Sequence, residues 1–140
     1  MFWRILLILL FYPVVHYGQH VKPKKEVKEG IASYYHAKFN GRKTATGEIF
    51  SNQNMTAASN HFPLGTMVKV TNKKTGKFVF VKINDRMAAS NHRIIDLTEK
   101  AAKELCFMDK GICVVTVEKT NGKSEEIILS DEKGDSLSTK

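Results

Sequence analysis

The chain has 140 residues, 42% of them hydrophobic and 26% charged, with 22 Lys and Arg against 14 Asp and Glu for a formal net charge of +8. Domains typically need about 100–150 residues, so this length excludes more than one domain with terminal extras, and the composition is that of a globular protein.

The N-terminal stretch "MFWRILLILLFYPVVHYGQH" carries one cation, Arg4, followed by an apolar run from Ile5 to Val15 broken only by Tyr12 and Pro13. A membrane span needs about 20 apolar residues, so this shorter run is expected to be a secretory signal peptide, residues 1–18, cut near Gly18–Gln19. The alternative is an uncleaved anchoring segment. No cysteine lies near the cut, so a lipoprotein is not expected. The reading implies export to a periplasmic or extracellular space, with no stable membrane insertion after cleavage.

Cleavage removes only Arg4 among the charged residues, leaving 21 Lys and Arg against 14 Asp and Glu, a formal +7. Such a balance draws a protein to anionic polymers, cell-wall material or nucleic acid. The lysines are dispersed, however, and the one cluster, "KPKKEVK" from Lys22 to Lys28, reads as a solvated linker over residues 19–29. Nucleic-acid binding would need clustered arginines beside exposed aromatics, and Arg42, Arg86 and Arg93 are scattered, so no nucleic-acid partner is expected.

"EGIASYYHA", Glu29 to Ala37, opens the ordered part as a strand. "KFNGRKTATGEIFSNQN" follows with almost no hydrophobic periodicity, and a loop of that length in a small domain is usually functional. The next strands are "MTAAS", "MVKVTN", "KFVFVKIND" and "GICVVTVEK", with "KKTG" as a hairpin turn between the second and third of these. "LTEKAAKELCF" is a helix with Thr98 as N-cap and Glu99 in its first turn. Beyond Asn121 a single apolar run, Ile127 to Leu129, precedes a polar tail expected to be partly disordered, so residues 30–120 form the domain and 121–140 a C-terminal extension. Six or so short strands with one helix argue for a small β-barrel or sandwich.

Cys106 and Cys113 are the only cysteines; after export they either close a small loop as a disulfide or remain buried free thiols, and two thiols alone cannot make a structural zinc site. His16, His20, His36, His61 and His92 show no ligand spacing, so neither a metal nor any other cofactor is expected. There is no G-x-S-x-G nucleophile motif and no glycine-rich phosphate loop. Carboxylates remain. Glu48 sits in the long loop, Asp96 just before the helix, and Asp85 at the end of "VFVKIND". Alternation places Asp85 on the inward face shared by Val79, Val81 and Ile83, an awkward place for a carboxylate unless it is paired or chemically employed.

Five blocks follow one another along the chain: G-x-A-S-x-Y at Gly30 to Tyr35, G-R-x-T-A-x-G-E at Gly41 to Glu48, T-A-A at Thr56 to Ala58, N-D-R at Asn84 to Arg86, and R-I-I-D-L at Arg93 to Leu97. With these blocks the chain resembles the rare lipoprotein A-like family of double-psi β-barrels from about Gly30 to Glu118. The resemblance implies a mainly β fold, a six-stranded double-psi β-barrel with one or two short helices, whose groove holds a glycan. It further implies a lytic transglycosylase that cuts peptidoglycan between N-acetylmuramic acid and N-acetylglucosamine, leaving a 1,6-anhydro end. Asp85 matches the family's catalytic acid and Glu48 a supporting carboxylate; Tyr35, Thr44, Ser59, His61, Arg86 and Asp96 are the residues expected to contact the sugar, Tyr35 by stacking. Glycan strands are the expected partner, and the protein a monomer.

The chain departs from the pattern at three places. Ser59 follows T-A-A where active members usually carry His, and His61, two residues on, could reach the same space only through a rearranged loop; Ser51 stands where Asp often lies three residues after the Glu; and Met87-Ala88 replaces Gly-Pro after N-D-R. A competing expectation is therefore an expansin-like module that binds wall glycan without cutting it. Chemically, cleavage needs a proton on the leaving oxygen, and a transglycosylase that lets the C6 hydroxyl attack can work with one acid. A free Asp, with a pKa of about 3.9, must be shifted to hold that proton near neutrality.

Overall fold

A computed structural model describes residues 25–120. The signal peptide, most of the linker and the run Ile127 to Leu129 lie outside the described residues. Strands β1 (Val27–Tyr34), β2 (Thr56–Ala58), β3 (Met67–Asn72), β4 (Phe78–Asp85), β5 (Ile95–Leu97) and β6 (Cys113–Lys119) close into a barrel in the order β1-β5-β2-β4-β3-β6. The pairs β1–β5 and β2–β4 are parallel and the other four antiparallel. A short helix α1 (Glu99–Glu104) follows β5, and a 3-10 turn (Ala37–Phe39) follows β1.

Alternation builds the interior: Val68 and Val70 of β3, Val79, Val81 and Ile83 of β4, and Val115 and Val117 of β6 are all buried. Leu105 and Phe62 join them from the connections. Thr98 caps α1 as expected, its hydroxyl accepting from Ala101 N at 3.4 Å. The Lys73–Gly76 turn joins β3 to β4, with Gly76 N donating to Asn72 O at 2.8 Å.

Two boundaries differ from the sequence reading. β1 begins at Val27, inside the expected linker, because backbone pairing of Val27–Ala32 with Cys113–Glu118 holds residues whose charged side chains face water. β5 was not among the period-two strands. It has three residues, too few to show a period, and exists because β1 and β2 flank it on either side.

Cys106 and Cys113 are also corrected, since they are free and neither is buried. Cys106 ends the helix turn in a left-handed conformation (φ 56°) with its thiol beside Lys77 Nζ at 3.1 Å, whereas the Cys113 thiol lies against Val114 O at 3.4 Å.

Gly30 marks a close approach between β1 and the segment entering β5. A Cβ built there would lie 2.9 Å from Ile94 Cβ, an atom fixed by its own backbone. Gly30→Ala is therefore expected to destabilise the barrel by about 1–3 kcal/mol, as overpacking does. Chemical denaturation with an unchanged m-value checks this.

Candidate active site

The site is built where β2 and β4 fall out of step. Ala57 pairs with Ile83, but Ala58 pairs with Asp85, so Asn84 and Asp85 together oppose one residue. Such a bulge re-aims side chains. Paired residues share a face, and Ala58 faces away from Ala57, so Asp85 joins Asn84 on the outer side instead of following Ile83 inward. The simple alternation that put Asp85 in the interior is thus broken at Asn84, and Asp85 is half-buried at the barrel wall.

The long loop meets it there. Ala45 N donates to Asp85 Oδ1 at 3.0 Å, Arg86 N to the same oxygen at 2.9 Å, and the Tyr35 hydroxyl to Oδ2 at 2.9 Å. Gly47, at φ 87°, makes the turn that folds this loop back, with its N–H on Thr44 O at 2.9 Å, and so presents Glu48. Thr46 N reaches Asn84 O at 3.2 Å, tying the loop to the bulge.

Glu48 is occupied by Lys82 Nζ at 2.6 Å and Asn84 Nδ2 at 3.2 Å. The Lys82 hydrogen bond, with Asn84 adding to it, holds the Glu48 carboxyl below its ordinary value of 4.5, so it is an anion at neutral pH. A depressed carboxyl contributes stability that is complete above the unfolded value and lost as pH falls through the folded one. The stability difference between wild type and Glu48→Gln should therefore stay constant from pH 7 to 5 and shrink only below about 4.5 in denaturation series.

A groove of about 510 Å³ opens beside Asp85, walled by residues 34–39 on one side and 86–96 on the other. Tyr35 stands at its edge, but its ring packs on Phe50 (centroids 4.5 Å apart) and against Phe39 (5.7 Å). Burial first, and then the hydrogen bond to Asp85, push the Tyr35 hydroxyl well above its ordinary value, so it remains a donor. Tyr35 thus holds the Asp85 carboxylate instead of offering a free stacking face. Phe39, partly exposed, lines the groove with Lys38 and Arg42 over its ring at 5.4 Å.

Of the other expected contacts, Arg86 and Asp96 line the groove, whereas Ser59, His61 and Thr44 do not. Ser59 is fully buried, its hydroxyl donating to Ile94 O at 2.8 Å and accepting from His61 N at 3.1 Å, so it does not line the groove. His61 is exposed but outside the groove lining, and His36 is the histidine that lines it. Arg86 lines the groove, with its guanidinium donating to the carbonyls of Ser59 and Phe62, the latter at 2.7 Å. Asp96 lines the groove with both oxygens taken: Arg93 donates at 2.7 and 2.9 Å and the Ser33 hydroxyl at 2.9 Å. Thr44 is buried, its hydroxyl 3.1 Å from that of Thr46.

Asn60 was not foreseen. Its side-chain amide clasps the backbone of Met87, with Nδ2 donating to Met87 O and Oδ1 accepting from Met87 N, both at 3.0 Å. That clasp holds the segment after N-D-R where the sequence has no Gly-Pro turn. Of the partners of Glu48, Lys82 is legible in the sequence only as an outward residue of β4 and Asn84 only as the first residue of N-D-R.

The family model described as "Lytic transglycolase" matches residues 27–117. The endolytic peptidoglycan transglycosylase RlpA of Haemophilus influenzae is 45% identical over 95 residues, covering 68% of this chain and 33% of that protein. The protein of the same name from Rickettsia bellii is 39% identical over 109 residues, covering 76% and 48%. The chain thus spans between a third and a half of these relatives' length. Among solved structures, a Streptomyces papain inhibitor superposes with a TM-score of 0.55 at 22% identity, covering 69% of this chain and 96% of the inhibitor. An expansin of Clavibacter michiganensis gives 0.55 at 23%, covering 69% and 51%, and such likenesses concern the fold alone. From its sequence blocks, its barrel and these matches, the chain belongs to the rare lipoprotein A-like family of double-psi β-barrels.

Proposed function

We propose that the protein is an exported peptidoglycan lytic transglycosylase, acting in the periplasm or outside the cell, that cuts the bond between N-acetylmuramic acid and N-acetylglucosamine and leaves a 1,6-anhydro end. The observation that carries this reading is Asp85, held by two backbone amides and one tyrosine hydroxyl at the edge of a groove lined by Phe39, His36 and Arg93.

Oδ1 is taken by two amides, which leaves Oδ2, whose one partner is a hydroxyl that can rotate, as the oxygen through which a proton would pass to the substrate. Asp85 gives that proton to the glycosidic oxygen as the bond to C1 breaks. The sugar's C6 hydroxyl then attacks C1, and its proton returns to the Asp85 carboxylate. No water is consumed and the acid is regenerated. Glu48, an anion paired with Lys82, holds the bulge and the loop around this acid.

A second reading, a glycan-binding module without turnover, draws support from Ser59, whose burial keeps its side chain out of the groove. The deciding experiment incubates the protein with sacculi and with glycan strands stripped of stem peptides, and analyses products by mass spectrometry. Anhydro-ended fragments are expected. Sacculus pull-down with no such fragments from either substrate would select the binding module.

A further inference from the structure

A second cleft, of about 520 Å³, shares no lining residue with the groove beside Asp85. One wall is the turn from β3 to β4, and the other is the segment that leads from α1 into β6. A single buried side chain ties the two together. Asn72 is 3% exposed; its Oδ1 accepts from Lys74 N at 2.9 Å and Thr75 N at 3.4 Å, while its Nδ2 donates to Leu105 O at 2.8 Å. Lys73 N adds a bond across to Val114 O at 3.1 Å, and Gly111, at φ 72°, folds the second wall with its N–H on Phe107 O at 3.2 Å.

These fixed walls bring Lys74 and Lys110 together at the cleft. A hydrogen bond between their side chains, and then the Lys110 charge, hold the Lys74 ammonium below its ordinary value. Lys73, the third cation of the lining, is paired with Glu29 at 2.7 Å, but among the described residues neither Lys74 nor Lys110 has an acidic partner at ion-pair distance. Two like charges held side by side repel, and an anion between them removes that cost. Beside the cations the lining is apolar, with Ile112 54% and Val114 45% exposed. A recess of this volume takes a small ligand or a few residues of a chain, whereas the plane of a membrane does not enter it. The occupant it fits is therefore acidic and carries short aliphatic groups.

Peptidoglycan offers such a group in the stem peptide on its muramic acid, which combines free carboxylates with alanine methyl groups. We propose that this cleft binds the stem peptides of peptidoglycan, with Lys74 and Lys110 on a carboxylate and Ile112 and Val114 against the methyl groups. The assignment rests on the reading of the protein as one that acts on peptidoglycan. Because cleft and groove share no residue, the protein can hold a peptide-bearing strand at one site while a second strand lies at the other.

The test titrates the isotope-labelled full chain with a synthetic stem tetrapeptide of L-alanine, D-glutamate, diaminopimelate and D-alanine, followed by NMR. Amide shifts at Lys74, Lys110 and Ile112 are expected. Lys74→Gln/Lys110→Gln should weaken tetrapeptide binding by about tenfold or more, the loss of at least one charged hydrogen bond. The same variant, whose two substitutions lie outside the groove, should release anhydro-ended fragments from stripped glycan strands at the wild-type rate. That second assay reports on the groove: fragments absent from both proteins would refute the transglycosylase, whereas the titration by itself decides the cleft. Equal affinity of the two proteins for the tetrapeptide, or shifts confined to groove residues such as Phe39, overturns the inference. Retention on phosphatidylglycerol vesicles that the substitutions abolish, with tetrapeptide binding unchanged, overturns it as well, because the cleft is then a lipid site.

Discussion

Asp85→Asn is expected to bind sacculi like wild type and to release anhydro-ended glycan at a rate lower by about 10²–10⁴-fold, the usual loss when a general acid is removed. The amide has nearly the shape of the carboxyl. Its oxygen can still accept from Ala45 N and Arg86 N, and its NH₂ can donate to the Tyr35 hydroxyl, which accepts as readily as it donates. Groove and fold are thereby kept while the transferable proton is lost. Product yield by mass spectrometry, beside pull-down on the same sacculi, separates the two effects. Equal yields from both proteins would remove Asp85 from the chemistry.

Arg86→Met is expected to lower stability by about 3 kcal/mol while leaving glycan binding per folded molecule unchanged. The guanidinium donates to the carbonyls of Ser59 and Phe62, and hydrogen bonds from a charged group contribute about 1.5–3 kcal/mol each. Methionine fills similar space without donors, leaving both carbonyls short of a partner. The loop released is the one that carries Asn60, whose amide clasps Met87 at the groove. Denaturant titration measures the loss, and pull-down corrected for the folded fraction measures binding. A glycan-contacting arginine would give the reverse pattern, with unchanged stability and weakened pull-down.

These two residues, adjacent in sequence, show where local patterning stops being informative. N-D-R identifies Asp85 and Arg86 as residues of interest, yet alternation puts Asp85 inside the barrel, and the bulge at Asn84 turns it out. A bulge depends on the register of a partner strand distant in sequence, and nothing within "VFVKIND" announces it. Ser59 and His61 fail for the same kind of reason. Their distance from T-A-A can be counted, but the path of the chain after β2 is set by the Arg86 guanidinium and by the Ser59 hydroxyl on Ile94 O. Tyr35 was legible as an aromatic of the site; that its ring would be sandwiched against Phe50 and Phe39 was not.

By itself the sequence determined the parts governed by short-range physics. The valines of β3, β4 and β6 alternate because side chains on a strand do, Thr98 caps α1, and Lys73–Gly76 turns because a short polar stretch ending in glycine favours reversal. Tertiary structure alone decided that three residues, Ile95–Leu97, become a strand between two neighbours, that Ser33 reaches Asp96, and that Glu48 pairs with Lys82. Each of these rests on contacts formed only when the barrel closes. A charged side chain takes whichever partner the closed backbone brings within about 3 Å, and neither the partner nor the distance is encoded in its neighbours along the chain.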